Sequence, residues 1–196
     1  MLKNPALIQA IGEAVIPVLG FFFFEWGLYF ILLFYFFDLL ATEVFVYIKA
    51  QKIARSRSNQ SIMKHFVLLS GMTTLLLLFL SHISMLFIQP NITFYDEFIA
   101  FLLYEEAGIP IPQGVILLPL ILLGNLQQYT QFFVRPQKHL FFSIDHIYKL
   151  RLTALLVGIA GCGLAIGGAV LLHLNETVLL LLLVVSKFFV DFKLRV

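Results

Sequence analysis

Asp38, Glu43, Lys187 and Asp191 are ionisable side chains set inside runs that are otherwise apolar, FYFFDLLATEVF and LLVVSKFFVDF. At membrane depth a charge costs several kcal/mol unless it is paired or wetted, so each marks a candidate site. Lys187 and Asp191 are four residues apart, one turn of a helix, and face the same side. Asp38 and Lys187 pair if the helices that carry them touch. Such a group does one of two things: it fixes helix register as a buried ion pair, or it passes protons or ions. Glu43 is expected to reach the inner interface with its long side chain, and Glu13, in QAIGEAVI, is a further intramembrane acid of lower weight.

Other residue types point to weaker chemistry. Tyr104-Glu105-Glu106-Ala107-Gly108-Ile109-Pro110-Ile111-Pro112-Gln113-Gly114 cannot be one helix, because each proline removes a donor and disfavours helix at the residue before it. It reads as an amphipathic surface segment or a re-entrant one, since irregular backbone at membrane depth survives only when buried in protein or beside water. His82 and His173 fall in the same half of the bundle, which is the geometric minimum for a bis-histidine haem and its only support. No histidine spacing resembles a zinc site, so no metal is expected, and no nucleophile elbow or Ser-His-Asp order suggests an enzyme. Gly158, Gly161, Gly163, Gly167 and Gly168 line one apolar run, where glycine permits close helix approach, first against the following helix and second across a homodimer seam.

These residues need elements to hold them. The chain of 196 residues is 61% hydrophobic and 12% charged, against about 45–50% and about 25% in soluble domains, and its mean hydropathy is +0.98. The apolar residues come in runs of about 20, the length that crosses a bilayer. The expectation is a single all-α transmembrane domain over 1–196 with about six spans, roughly 6–24, 28–48, 66–88, 115–134, 152–172 and 178–191. Glu25-Trp26-Gly27 turns the first pair, and the Pro-rich segment precedes the fourth span. With both ends inside, all 13 Lys and Arg fall on or near the inner side. A five-span variant has the first run lying in the interface. The net charge of +2 gives no reason to expect nucleic acid, and the lone Cys162 forms no internal disulfide.

Two resemblances follow. Glu105, Glu106, Gly108, Pro110 and Pro112 resemble the acid-Gly-x-Pro-x-Pro loop of the DedA membrane family, which implies a re-entrant loop whose acids serve lipid transport. Here Gln113-Gly114 replaces the acid that follows the second proline. From end to end the chain is similar to a prokaryotic polytopic membrane family of unknown function, on Pro17, Gly20 and Trp26 (VIPVLGFFFFEWG), Tyr35 and Asp38 (FYFFDLL), and Lys187 and Asp191 (SKFFVDFK). That family's acid is usually Glu followed by Asn, where this chain has Asp38-Leu39. The resemblance implies architecture alone.

The expected function is that of a non-enzymatic accessory, assembly or scaffold subunit, with the lipid bilayer and other membrane subunits or a second copy as partners. The alternative is a small transporter or an ion, proton or lipid pathway using the intramembrane carboxylates. Haem-b binding is third, and no other cofactor is suggested. The cell (inner) membrane is the expected location, with an organelle membrane as the alternative.

Overall fold

The computed structural model describes residues 5–57, 61–103 and 112–193, and among these every regular element is helical. In order they are α1 (Pro5–Phe23), α2 (Leu28–Arg57), α3 (Ser61–Ile88), α4 (Phe94–Leu103), α5 (Gln113–Gln128) with a π-helical turn at Tyr129–Val134, α6 (Lys138–Phe141), α7 (Ile144–Leu171) and α8 (Glu176–Lys193). Segments of α2, α3 and α7 (Leu28–Ser56, His65–Ile88 and Ile144–Leu171) are each long and apolar enough to cross a bilayer, which makes this a membrane protein by length and composition. Ala10–Phe23 is apolar but shorter.

Several elements run past the boundaries expected from hydropathy. The basic stretch after Ile48 does not end α2. It continues the helix through Lys49 to Arg57, because Ala, Gln, Lys and Arg are good helix formers whatever their polarity. Lys49 is buried there, its Nζ 5.9 Å from the centre of the Phe133 ring. At the other end of the basic loop, α7 starts at Ile144 and not at Leu152, capped by Ser143, whose side chain accepts from the His146 N–H at 3.1 Å. Arg151 therefore lies two turns inside a helix. Glu105, Glu106, Gly108 and Pro110 fall outside the described residues, and Pro112 stands just before α5.

The reversal at Glu25-Trp26-Gly27 follows from a close approach. The Phe24 and Trp26 N–H groups both donate to the Gly20 carbonyl, at 3.1 and 3.0 Å, and Glu25 takes a left-handed φ of 51°. The Trp26 ring lies flat against Gly20, where an added Cβ would stand 2.0 Å from ring carbon Cε3. Only glycine fits. Gly114 does similar work: a Cβ would meet the Leu102 Cα at 2.8 Å, so α4 and α5 approach backbone to backbone.

α3 and α7 form the most extensive helix pair, α8 packs against α1 and α7, and α2 touches α1, α3, α4, α5, α6 and α7. The first half of α2 is buried on nearly every side, from Leu28 to Phe36, as befits a central helix with no polar face. Outside this core, large apolar side chains such as Leu68, Leu75, Leu123, Leu164 and Val185 stand exposed, the surface expected of a chain solvated by lipid.

Candidate functional site

Helix length puts three charges at one level, with Asp191 one turn further along α8. Asp38 is ten residues beyond the start of α2, Glu13 ten before the end of α1, and Lys187 eleven beyond the start of α8. At 1.5 Å per residue each is about 15 Å from the same end of the bundle. α8 packs on α1 and α7, and the reach of the Lys187 side chain carries its ammonium across to α2. Lys187 Nζ lies 2.7 Å from Asp38 Oδ2 and 2.5 Å from Asp191 Oδ2, and 5.6 Å from the centre of the Tyr35 ring, within the range of a cation–π contact. Carboxylate oxygens of Glu13, Asp38 and Asp191 all lie within 4.8 Å of one another. Three like charges that close repel, so the cluster holds only with positive charge among them, and the Lys187 ammonium is one such charge.

The far side of Asp38 is held by α5. Asn125 donates its Nδ2 to Asp38 Oδ1 at 2.9 Å and to the Ile121 carbonyl at 3.0 Å, while its Oδ1 accepts from Thr42 Oγ1 at 3.0 Å. Every polar atom of this buried amide is used, which fixes the Asp38 carboxylate in place. Asn125 sits one turn before the π-helical segment, a local widening of the kind often found beside sites.

One and a half turns further along α2 is a second network. Glu43 is 6% exposed and Arg151 is 6% exposed. The guanidinium donates its Nε to Glu43 Oε2 at 2.7 Å, with Nη2 2.6 Å from the same oxygen. Ser70 Oγ donates to Glu43 Oε1 at 2.5 Å and Thr74 Oγ1 to Oε2 at 3.2 Å. Glu43 thus does not extend to the interface as expected from its place in the sequence. Arg151 is in a helix facing it, and a paired, hydrogen-bonded charge is cheaper than one stretched through lipid.

Both networks border one cavity of about 230 Å³ between α2, α3, α7 and α8. Its walls are mostly apolar, with Leu32, Leu77, Met85, Leu155 and Ala165 among them, and Asp38, Thr42, Arg151, Ser186, Lys187 and Asp191 supply its polar part. Tyr35 also borders it. It is 6% exposed, within electrostatic reach of Asp191, Asp38 and Glu13, and its Oη has no hydrogen-bond partner among the described residues.

The remaining candidates from the sequence do not join this site. His82 has both ring nitrogens engaged, Nε2 with Tyr29 Oη at 3.0 Å and Nδ1 with the Leu78 carbonyl at 2.8 Å, and stacks on Phe36. His173 is exposed on the turn after α7 with a φ of 49°. Of the glycines in α7, Gly158 faces Leu77 of α3 and Gly168 faces Leu174 and Leu179, while added Cβ atoms at Gly161, Gly163 and Gly167 would meet nothing within 4 Å. Arg151, Asn125 and Thr42 escaped notice in the sequence, and Tyr35 stood out only within the FYFFDLL resemblance, without a functional role. Asn125 had a signal, an amide directly after the apolar run PLILLG, and Arg151 was hidden by its place in a basic stretch.

Compared with family models, with curated proteins and with solved structures, the chain matches none, so its function has to be argued from the geometry.

Proposed function

We propose that the protein is a small non-enzymatic transport protein of the cell membrane in which the Glu13–Asp38–Asp191–Lys187 cluster takes up and releases positive charge. One observation carries this reading: three carboxylates converge on a single level and two of them border a cavity. A pair that only locks register needs one acid and one base, as in the Glu43–Arg151 network. Carboxylates gathered around a lysine beside a void have the composition of an exchange site, where one cation can replace another.

A six-span, N-in and C-in arrangement suits this role. α5 and its π-helical turn form 22 continuous residues from Gln113 to Val134, about 33 Å at helical rise. α8 carries Glu176 and Lys193 at its two ends, and Lys187 and Asp191 within an otherwise apolar run. Lys49, Lys52, Arg55, Arg135, Lys138 and Lys149 lie at the end of the bundle where α2 meets α6, which supports that end as the cytoplasmic one. The cluster then sits near the bilayer midplane.

The test is charge movement. Full-length protein in proteoliposomes, given a potassium-diffusion potential, should acidify or alkalinise the lumen according to the sign of the potential, and Asp38→Asn should reduce the rate at least tenfold. Wild-type vesicles that behave like empty ones would refute the reading. A second role as an accessory subunit is favoured by one specific feature, the open face at Gly163 and Gly167, where a partner helix can approach closely.

A further inference from the structure

Tyr35 presents a buried hydroxyl with no partner among the described residues, beside three carboxylates and on the edge of an apolar cavity. Leaving such a group unpaired is costly, and it marks a place where a partner is missing, one that the phenol oxygen can meet as an acceptor. The same corner already accommodates an alkylammonium, that of Lys187, whose Nζ meets Asp38 and Asp191 while its methylenes run along α8.

From this the geometry points to a binding site for a second, external alkylammonium: a primary amine with an apolar tail, its head among Asp38, Asp191 and the Tyr35 hydroxyl and its tail in the cavity. The inference rests on the transport reading and names its substrate class. The chemistry divides along the cavity. Its apolar walls, Leu77, Met85, Leu155 and Ala165 among them, suit a hydrocarbon or aryl body, and its charged corner is rich in acceptors. An ammonium has three donors, enough for two carboxylates and the phenol oxygen. A bare divalent ion fits less well. It would have to enter beside the Lys187 ammonium and find about six oxygens in a largely apolar space.

The probe is 4-phenylbutylamine, with 4-phenylbutanol as its uncharged counterpart, measured by equilibrium dialysis against the full chain in lipid nanodiscs. The expected result is saturable one-to-one binding of the amine at least tenfold tighter than the alcohol. Asp191→Asn should weaken it tenfold or more. Ala165→Phe, which fills the cavity and leaves every charge in place, should abolish it, with both variants keeping the wild-type unfolding temperature in detergent so that a loss of binding is not mistaken for misfolding. Equal partitioning of amine and alcohol, or binding indifferent to both substitutions, would overturn the inference. So would one-to-one binding of Mn²⁺ that Asp191→Asn abolishes, in the absence of amine binding. If charge moves in proteoliposomes and the amine does not bind, the transport reading stands and the substrate class fails. If the amine binds and no charge moves even when 4-phenylbutylamine is supplied on one side of the proteoliposome membrane, the site stands and transport fails.

Discussion

At the scale of single residues, the two networks differ in how completely their charges are used. Glu43 has a guanidinium and two hydroxyls on its two oxygens, a closed structural lock. Arg151→Leu leaves that carboxylate buried without its counter-charge and should cost about 3–5 kcal/mol, while the Glu43→Leu/Arg151→Leu double variant should recover most of the loss. Unfolding of these two variants and of Glu43→Leu alone in mild detergent measures this, and additive losses would mean that the two residues are not coupled. Tyr35 predicts the opposite balance. Tyr35→Phe removes an unpartnered hydroxyl and should raise stability by about 1 kcal/mol while lowering charge movement several-fold. A loss of stability would show that the hydroxyl is satisfied. Of these groups, Asp38, Glu43, Lys187 and Asp191 were legible in the sequence because a charge in an apolar run is conspicuous. Tyr35 was not, since a tyrosine among phenylalanines looks like core, and only three dimensions show which oxygen has no partner.

Among the helices, glycine positions separate packing from open surface. Gly20 is filled by the Trp26 ring, so Gly20→Ala must expel the indole and loosen the α1–α2 turn. Gly163→Ala and Gly167→Ala meet nothing, and each should stabilise the isolated chain by about 0.5–1 kcal/mol through helix propensity alone. Thermal unfolding combined with size measurement in detergent checks this. Unchanged or higher stability with a shift from dimer to monomer would show that the glycine face is an oligomer seam, and lower stability would contradict the open surface seen here. Hydropathy located α1, α2, α3 and α7 but misplaced the inner ends of α2 and α7, where helix propensity continues after the apolar signal stops. The change from α5 to its π-helical turn at Tyr129–Val134, where Phe133 is buried, has no signature in composition.

Among the described residues the molecule has an apolar outer surface, one end at which Lys49, Lys52, Arg55, Arg135, Lys138 and Lys149 gather, and one level at which α1, α2 and α8 bring their charges together. The apolar runs made the all-helical, membrane-suited character readable from sequence, whereas the cavity was not, since it lies between four helices that are distant along the chain. The N-in and C-in topology predicts that, in a Cys162→Ala background, Pro90→Cys and Asn175→Cys react with an impermeant maleimide added to intact cells, and Gln137→Cys reacts only after permeabilisation. Both residues 90 and 175 are exposed beyond helix ends, as is 137, so differences in reactivity report sidedness. The reverse pattern would invert the bundle, and labelling of all three from outside would exclude a six-span reading.

The central claim is that Glu13, Asp38 and Asp191 form one exchange site around Lys187. It is tested most directly by infrared difference spectra of the protein in lipid, taken between acidic and alkaline buffer, for the wild type and for Glu13→Gln, Asp38→Asn and Asp191→Asn. The account predicts a protonated-carboxyl band in the wild type that each substitution shifts or removes, because the three groups share their protons. A band that survives all three unchanged, or that only one of them alters, would contradict it.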